Sequence, residues 1–479
     1  MYHRGQIVDL YISEYAFGGK GISKIPTDDG HFIVFVQNAF PGQNVRAKIS
    51  KKRKNHAEAN LVKILQRSEK ELETEFQEIS GGPYIRVPID VQKEVKMNSS
   101  LDVLTRISGL NNIHDSFDEW IPSPDTFFYR NKMEYSFSSI EHCLLTDEDI
   151  DDSFALGFKR RGTWWKVESL KKPSGLFDKE WESKVYLIQD HLKSTNLPAW
   201  HPPKKEGFFR HLVVRKSFDK SEFLINLVTS SEGISKFNPK LFVDFILSLF
   251  GEKIAGIQHT VNDDHADRSK IENGTNKLLW GRPIITQKIN NLDFEISMES
   301  FFQTNPRCAE KLYNKSIDYV IEESIDETKF VLDLFCGTGT IGQLLAKRNQ
   351  NLNVIGVDIV SEAIDDANRN AIKNKLNNLE FFASDVGKFL KFKPELVGKI
   401  NTIILDPPRA GIAPKTLVKV MELGAKHIVY ISCNPSTQAR DASSLADYGY
   451  VIEKITLVDQ FPHTGHIESI IKFKSSKQK

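Results

Sequence analysis

The segment Lys329-Phe-Val-Leu-Asp-Leu-Phe-Cys-Gly-Thr-Gly-Thr-Ile-Gly342 reads as a buried strand, a glycine-rich turn and the start of a helix. Four more apolar runs follow, each closing on a polar residue or a proline turn: NVIGVDIV (353–360), LEFFASD (379–385), TIILDPP (402–408) and HIVYISC (427–433). Helical stretches such as SEAIDDANRNAIKN (361–374) separate them. This alternation predicts an α/β fold with a doubly wound, Rossmann-like parallel sheet. Ligands of such sheets bind beyond the carboxyl ends of the strands, so the residues at those ends carry the function.

Gly337-Thr-Gly339-Thr-Ile-Gly342 satisfies G-x-G-x-x-G, and Asp358 ends the next strand about 20 residues on, which alone is compatible with a nicotinamide dinucleotide fold. Asp333 pulls away from that reading, because a carboxylate ahead of the glycines repels a pyrophosphate. S-adenosylmethionine has no pyrophosphate, and its ammonium group welcomes a nearby carboxylate. Gly337 then lets backbone approach the ligand, Asp358 accepts from the ribose hydroxyls, and Asp385 meets the adenine. The fourth run ends in Asp406-Pro407-Pro408-Arg409, a stiff extended turn aimed at a planar target. The fifth ends in Ser432-Cys433-Asn434-Pro435, where Cys433 over the crevice is a candidate nucleophile. Near the C-terminus, Asp459-Gln-Phe-Pro-His463-Thr-Gly-His466-Ile-Glu468 admits two readings. His463, His466 and Glu468 would make a metal site, although their spacing does not suit one helix face. Alternatively, Glu468 enters the crevice as a general base.

The rest of the chain is less explicit. At roughly 100–200 residues per domain, 479 residues make two to four domains. Hydrophobic residues at 40% and charged residues at 27% exclude a mostly disordered chain. The net charge is only +1, yet residues 1–67 hold eleven Lys and Arg against five Asp and Glu. Such a basic module suits a polyanionic partner. Those residues read as five short strands punctuated by Gly and Pro, a small barrel, with Lys51–Lys54 (KKRK) on a hairpin at its exposed end. We delimit a barrel at 1–67, an α+β central domain at 68–295 and a catalytic domain at 296–479. In the central region, FRHLVVR (209–215) reads as a strand with Arg210 and Arg215 on a wet face, and Trp164–Trp165 as base-stacking or core residues. The four cysteines include no C-x-x-C pair, which argues against a disulfide scaffold or structural zinc. No run approaches the apolar length of a membrane span, and a soluble, cytoplasmic monomer is expected.

Together DLFCGTGTIG, LDPPRAG, YISCNPSTQARD, FPHTGHIES and SFFQTNP (300–306) resemble the RNA (uracil-5-)-methyltransferases, which modify tRNA or 23S ribosomal RNA. The N-terminal barrel is similar to the OB-like TRAM domain of that family. The resemblance implies a class I methyltransferase domain that uses S-adenosylmethionine and a covalent mechanism with Cys433 as nucleophile and Glu468 as base. It implies that Gln303, Phe335, Thr340, Asp358 and Asp385 hold the cofactor, that Asp406 contacts the uracil edge and that Phe301 stacks near the base. RNA is the implied partner, and the TRAM-like barrel tilts the target toward ribosomal RNA. One departure stands out. Some ribosomal members carry an iron–sulfur cluster with a C-G-G-C element, whereas this chain has Ser80-Gly-Gly-Pro83 and only Cys143 between 68 and 295, so no cluster is expected. Cytosine-5 methylation, a nicotinamide-dependent dehydrogenase and a non-catalytic RNA-binding assembly factor are the alternatives. The Glu468 motif favours uracil. The 149 residues after Phe330 leave no room for a dehydrogenase's substrate domain. Neither Cys433 nor Glu468 is needed merely to hold RNA.

Overall fold

The computed structural model describes residues 2–28, 30–143, 148–160, 163–264, 274–322 and 328–476. Phe330–Leu334 lies inside an eight-stranded sheet, in the order Leu379–Ala383, Asn353–Asp358, Phe330–Leu334, Ile400–Leu405, His427–Ser432, Glu468–Ser475, Tyr450–Val458, Phe117–Ile121. The first five strands are parallel. Glu468–Ser475 inserts antiparallel between its two neighbours. The apolar runs have no wet side because both faces are covered. Leu332, Leu334, Leu405 and Tyr430 join one core with Leu417 and Leu445. Val331, Ile404 and Val429 join another with Leu312 and Leu344. The strand order reverses beside Phe330–Leu334, which opens the crevice where ligands of doubly wound sheets bind.

The N-terminal barrel contains six strands rather than five. Its first strand bends at Ile12–Ser13: Ile7–Tyr11 pairs with Asn44–Lys52, and Glu14–Ala16 pairs with Lys20–Thr27. The bend joins the two sheet edges, with the Ile12 amide donating to the Gln43 carbonyl at 2.9 Å and the Ser13 amide to the Ile22 carbonyl at 2.9 Å. The resulting core comprises Leu10, Ile12, Val34, Val36, Val45 and Ile49. Lys51–Lys54 is exposed at the turn between the fifth and sixth strands.

The middle of the chain needs two corrections. Residues 68–295 are not one unit. Helix Ile89–Ser108 sends Leu101 and Leu104 into the same core as Leu332 and Tyr430, and Phe117–Ile121 is the edge strand of the catalytic sheet. The hairpin of Ile284–Ile289 and Leu292–Ser297 likewise shares a core with Leu312 and Leu344. Between these segments, a nine-stranded sheet runs from Glu148–Ile150 to Thr275–Gly281, with Phe209–Ser217 near its middle.

Arg210 and Arg215 do not face water either; both are buried. The Arg210 guanidinium stacks over Trp200 at 4.3 Å and donates to the Asn262 carbonyl at 2.5 Å. Arg215 donates to the Met298 carbonyl at 3.1 Å and to that of Ser300. Burial lowers its pKa to about 10. An alternating pattern alone cannot separate a wet arginine from one that caps buried carbonyls.

Candidate active site

The glycine loop is shaped by backbone. Phe335 has φ +64°, and the amides of Phe335 and Cys336 both donate to the Val357 carbonyl, at 2.8 and 3.1 Å. Gly339 has φ +69°, and a Cβ there would fall 2.3 Å from the Phe381 ring, so only glycine lets helix Thr340–Arg348 approach the sheet. Asp358 ties two loops together: it accepts from the Gly337 amide at 3.0 Å and the Val360 amide at 2.9 Å. Asp333 is fully buried and accepts from the Gly342 amide at 2.9 Å, so one carboxylate oxygen organises the loop instead of reaching out of it. Burial pushes its pKa up to about 7.

Other expected cofactor residues line up unevenly. Thr340 is buried as the first residue of its helix, its hydroxyl 3.4 Å from that of Thr338. Asp385 is exposed and caps helix Val386–Phe392 by accepting from the Lys388 amide at 2.9 Å. Gln303 is buried, with its carbonyl held by Asn131 at 3.1 Å and its side chain 3.5 Å from Gln460. Phe301 is 65% exposed and sits over the glycine loop, 3.8 Å from where a Gly337 Cβ would be. That position places it on the glycine-loop side of the crevice.

These groups fit S-adenosylmethionine. The loop presents backbone and room at Gly337. Asp358 offers carboxylate oxygens, and the second Asp333 oxygen is buried without a partner. Ile359, 68% exposed, and Val360 add an uncovered apolar surface next to Asp358, suited to an adenine face.

The second half of the site comes from the register of the sheet. Ser432 pairs with Ser469, so one step further along this antiparallel ladder Cys433 stands opposite Glu468. Asp406 follows Leu405 on the next strand, whose ladder partner is Tyr430. Arg409 is bound into the same corner, its carbonyl accepting from the Asn434 side-chain amide at 2.9 Å and from the Thr437 hydroxyl at 3.2 Å. Electrostatics couple these groups. Burial, then the Glu468 carboxylate, pushes the Cys433 thiol up to about 12, while Arg409 opposes them. Burial, then Asp406, holds Glu468 well above the usual carboxylate range. Burial alone raises Asp406 to about 7. Burial thus raises all three acids, and the Glu468 and Asp406 charges both act on the Cys433 thiol. The arrangement supports nucleophilic addition and proton abstraction on a bound substrate.

Cys433 opens into a cavity of about 410 Å³. Arg409, Phe461 and His466 line it from the catalytic domain, Met133 and Phe158 from the central sheet, and Arg130 from the segment just before the sheet strand Lys132–Ser138. The central-sheet residues escaped the sequence reading, because nothing local marks a strand residue that faces a site on another sheet. His463 does not join His466 and Glu468 around a metal. Its ring stacks on Phe127 at 4.4 Å and its Nδ1 lies 3.1 Å from the Gln92 amide. Burial lowers its pKa to about 4. Among the described residues, no group of three or more His, Cys, Asp and Glu is placed to hold a metal ion. Trp164 is 53% exposed, with Trp165 edge-on to it, so that pair is not core.

A model of the tRNA (uracil-5-)-methyltransferase family matches residues 285–475, starting at the hairpin that packs on the catalytic domain. An uncharacterised RNA methyltransferase of Clostridium tetani is 34% identical over 475 residues, covering 98% of this chain and 97% of the relative. One from Caldanaerobacter subterraneus is 33% identical, with 98% of each chain covered. The crystal structure of the Pyrococcus abyssi tRNA (uracil-54, C5)-methyltransferase in complex with S-adenosyl-L-homocysteine matches with a TM-score of 0.66 at 25% identity, covering 97% of this chain and 100% of that one. Sheet order, glycine loop and these likenesses define a Rossmann-like, class I methyltransferase that uses S-adenosylmethionine. More narrowly, the chain belongs to the RNA (uracil-5-)-methyltransferase family. No helix among the described residues is long and apolar enough to cross a membrane.

Proposed function

We propose that this enzyme methylates C5 of a uridine in 23S ribosomal RNA through a covalent bond between Cys433 and C6 of the base, acting as a cytoplasmic monomer. The observation that carries the covalent reading is the ladder register that sets Cys433 opposite Glu468, with Asp406 on the adjacent strand. S-adenosylmethionine, held by Phe335, Gly337, Thr340, Asp358 and Asp385 with Gln303 nearby, supplies an electrophilic methyl group on a sulfonium. Uracil C5 is a weak nucleophile on its own. Addition of the Cys433 sulfur to C6 drives the C5–C6 electron pair toward O4 and makes C5 electron-rich. Asp406, when charged, accepts the N3–H of uracil, a donor that cytosine lacks. Once C5 carries its new substituent, Glu468 removes the C5 proton. The electrons restore the C5–C6 double bond and the C6–S bond breaks, returning the thiolate.

A stacked uracil cannot present C6 to a buried thiol, so the target base must be extruded into the cavity. The basic barrel supports an extended RNA contact and tilts the target toward ribosomal RNA. A tRNA uridine is the second reading, favoured by the likeness to the Pyrococcus abyssi tRNA (uracil-54, C5)-methyltransferase.

The test is tritium release from total RNA labelled at uracil C5, taken from cells that lack this protein. We expect release that depends on S-adenosylmethionine, and fractionation of the product then separates ribosomal from transfer RNA. No release from any fraction would overturn the reading.

The electrostatics also set a pH dependence. Asp406, Cys433 and Glu468 must each lose a proton to act, and the fold raises all three. With the Cys433 thiol at about 12 and Asp406 at about 7, we therefore expect kcat/KM to climb between pH 6 and 9. The rise should be about a hundredfold per unit below 7, where both groups gain from each rise in pH, and about tenfold per unit above it, once Asp406 is charged. Asp406→Asn should remove the break near pH 7. A profile that falls with pH would contradict the assignment.

A further inference from the structure

The barrel does more than supply positive charge: its glycine turn touches the loop that delivers Glu468. That loop, Asp459–Ile467, joins two antiparallel strands of the catalytic sheet and is tied down along its length. Lys96 donates to Asp459 at 2.7 Å and to the Phe461 carbonyl at 3.0 Å. The Tyr129 hydroxyl donates to the Pro462 carbonyl at 3.0 Å. The His463 amide donates to Gln92 at 2.8 Å, and the His463 carbonyl accepts from the Tyr84 amide at 3.1 Å.

Past His463 the support comes from the barrel. A Cβ on Gly465 would lie 2.6 Å from the Gly19 Cα, 2.8 Å from the Gly19 nitrogen and 3.2 Å from the Tyr15 hydroxyl. Backbone therefore rests on backbone, three residues before Glu468. The turn that makes the contact is itself stiff. Gly18 and Gly19 have φ of +85° and +80°. The Gln37 side-chain amide donates to both their carbonyls, at 3.3 and 3.0 Å, and the Asn38 amide also donates to Gly19, at 2.8 Å. The Tyr15 and Tyr84 hydroxyls meet beside it, linking the barrel to the same Tyr84 that holds His463.

We infer that Gly19 and Gly465 are positioning residues, through which the barrel seats Glu468 against the substrate C5. The inference rests on Glu468 being the base. It predicts a cost in turnover where an RNA anchor predicts only a cost in affinity.

Gly465 is suited to the test because its φ is not positive, so alanine adds the clash with Gly19 and little backbone strain. In the full chain, Gly465→Ala should lower kcat by roughly 10- to 100-fold, the penalty of displacing a catalytic group by up to about 1 Å. RNA affinity should stay within twofold, and the covalent protein–RNA adduct should accumulate as proton removal slows. Lys51→Ala/Arg53→Ala, on the exposed turn, should instead raise KM and leave kcat unchanged. Gly465→Ser serves as the second variant, with a larger kcat loss expected, and thermal melts identify a variant that has unfolded. Unchanged kcat in both folded Gly465 variants, or a loss confined to KM and RNA affinity, would overturn the inference. Failure of the base assignment itself has a separate signature: Glu468→Gln would then turn over without accumulating adduct.

Discussion

Cys433→Ala is expected to stop methylation, lowering turnover by at least about 10⁴-fold, because without addition to C6 the ring carbon has no route to nucleophilicity. S-adenosylmethionine affinity should stay close to that of the unmodified enzyme. The glycine loop hangs on Phe330–Leu334, and the strand Ile400–Leu405 lies between it and the strand His427–Ser432 that precedes Cys433. Equilibrium binding of the cofactor and tritium release from C5-labelled RNA check the two halves independently. A variant that still turns over would remove Cys433 as the nucleophile. Serine is a poorer control than alanine, since its hydroxyl could still donate hydrogen bonds in the cavity.

Glu468→Gln should produce the second large effect: a stable covalent complex between protein and RNA, visible as a slow-migrating band on a denaturing gel. Addition and methylation do not need the Glu468 carboxylate, but loss of the C5 proton does. Glutamine keeps the size of the side chain. Its uncharged amide also suits a buried position, where desolvation disfavours a carboxylate, so the sheet should tolerate it. We expect the adduct to persist for hours and the release of product to fall by about 10³-fold or more. No adduct, with normal turnover, would show that another group takes the proton. Because the Cys433 variant blocks the reaction before the covalent bond and the Glu468 variant after it, the double variant should form no adduct at all.

Much of this enzyme was open to a reading of its residues in order. Short-range chemistry writes itself into adjacent positions: the apolar runs that become parallel strands, the glycines that admit positive φ, the proline-stiffened turn after Asp406 and the cysteine at a strand end. A doubly wound sheet gathers its strand ends at one edge whatever the details of packing. The candidate residues Asp358, Asp385, Asp406 and Cys433 could therefore be placed together before any coordinates. Partners distant in the chain were not legible. A pattern of alternating residues does not reveal that Arg215 serves the carbonyls of Met298 and Ser300, about 80 residues away, because burial is a property of what packs over a strand. Nor does it reveal that Phe117–Ile121 adds to a sheet whose other strands begin at Phe330.

The amino-acid sequence determined the class of fold and the glycine loop and marked Cys433 and Glu468 as the proposed nucleophile and base, since each depends on residue types in a local pattern. Tertiary structure decided the ladder register that brings Cys433 toward Glu468, the raised proton affinities of the cluster and the cavity wall drawn from the central sheet. It also set the Gly19 turn against Gly465. Those features arise from desolvation and close contact between segments that are separate in the chain, from tens of residues for Cys433 and Glu468 to hundreds for Gly19 and Gly465, and neither quantity exists until the chain is packed.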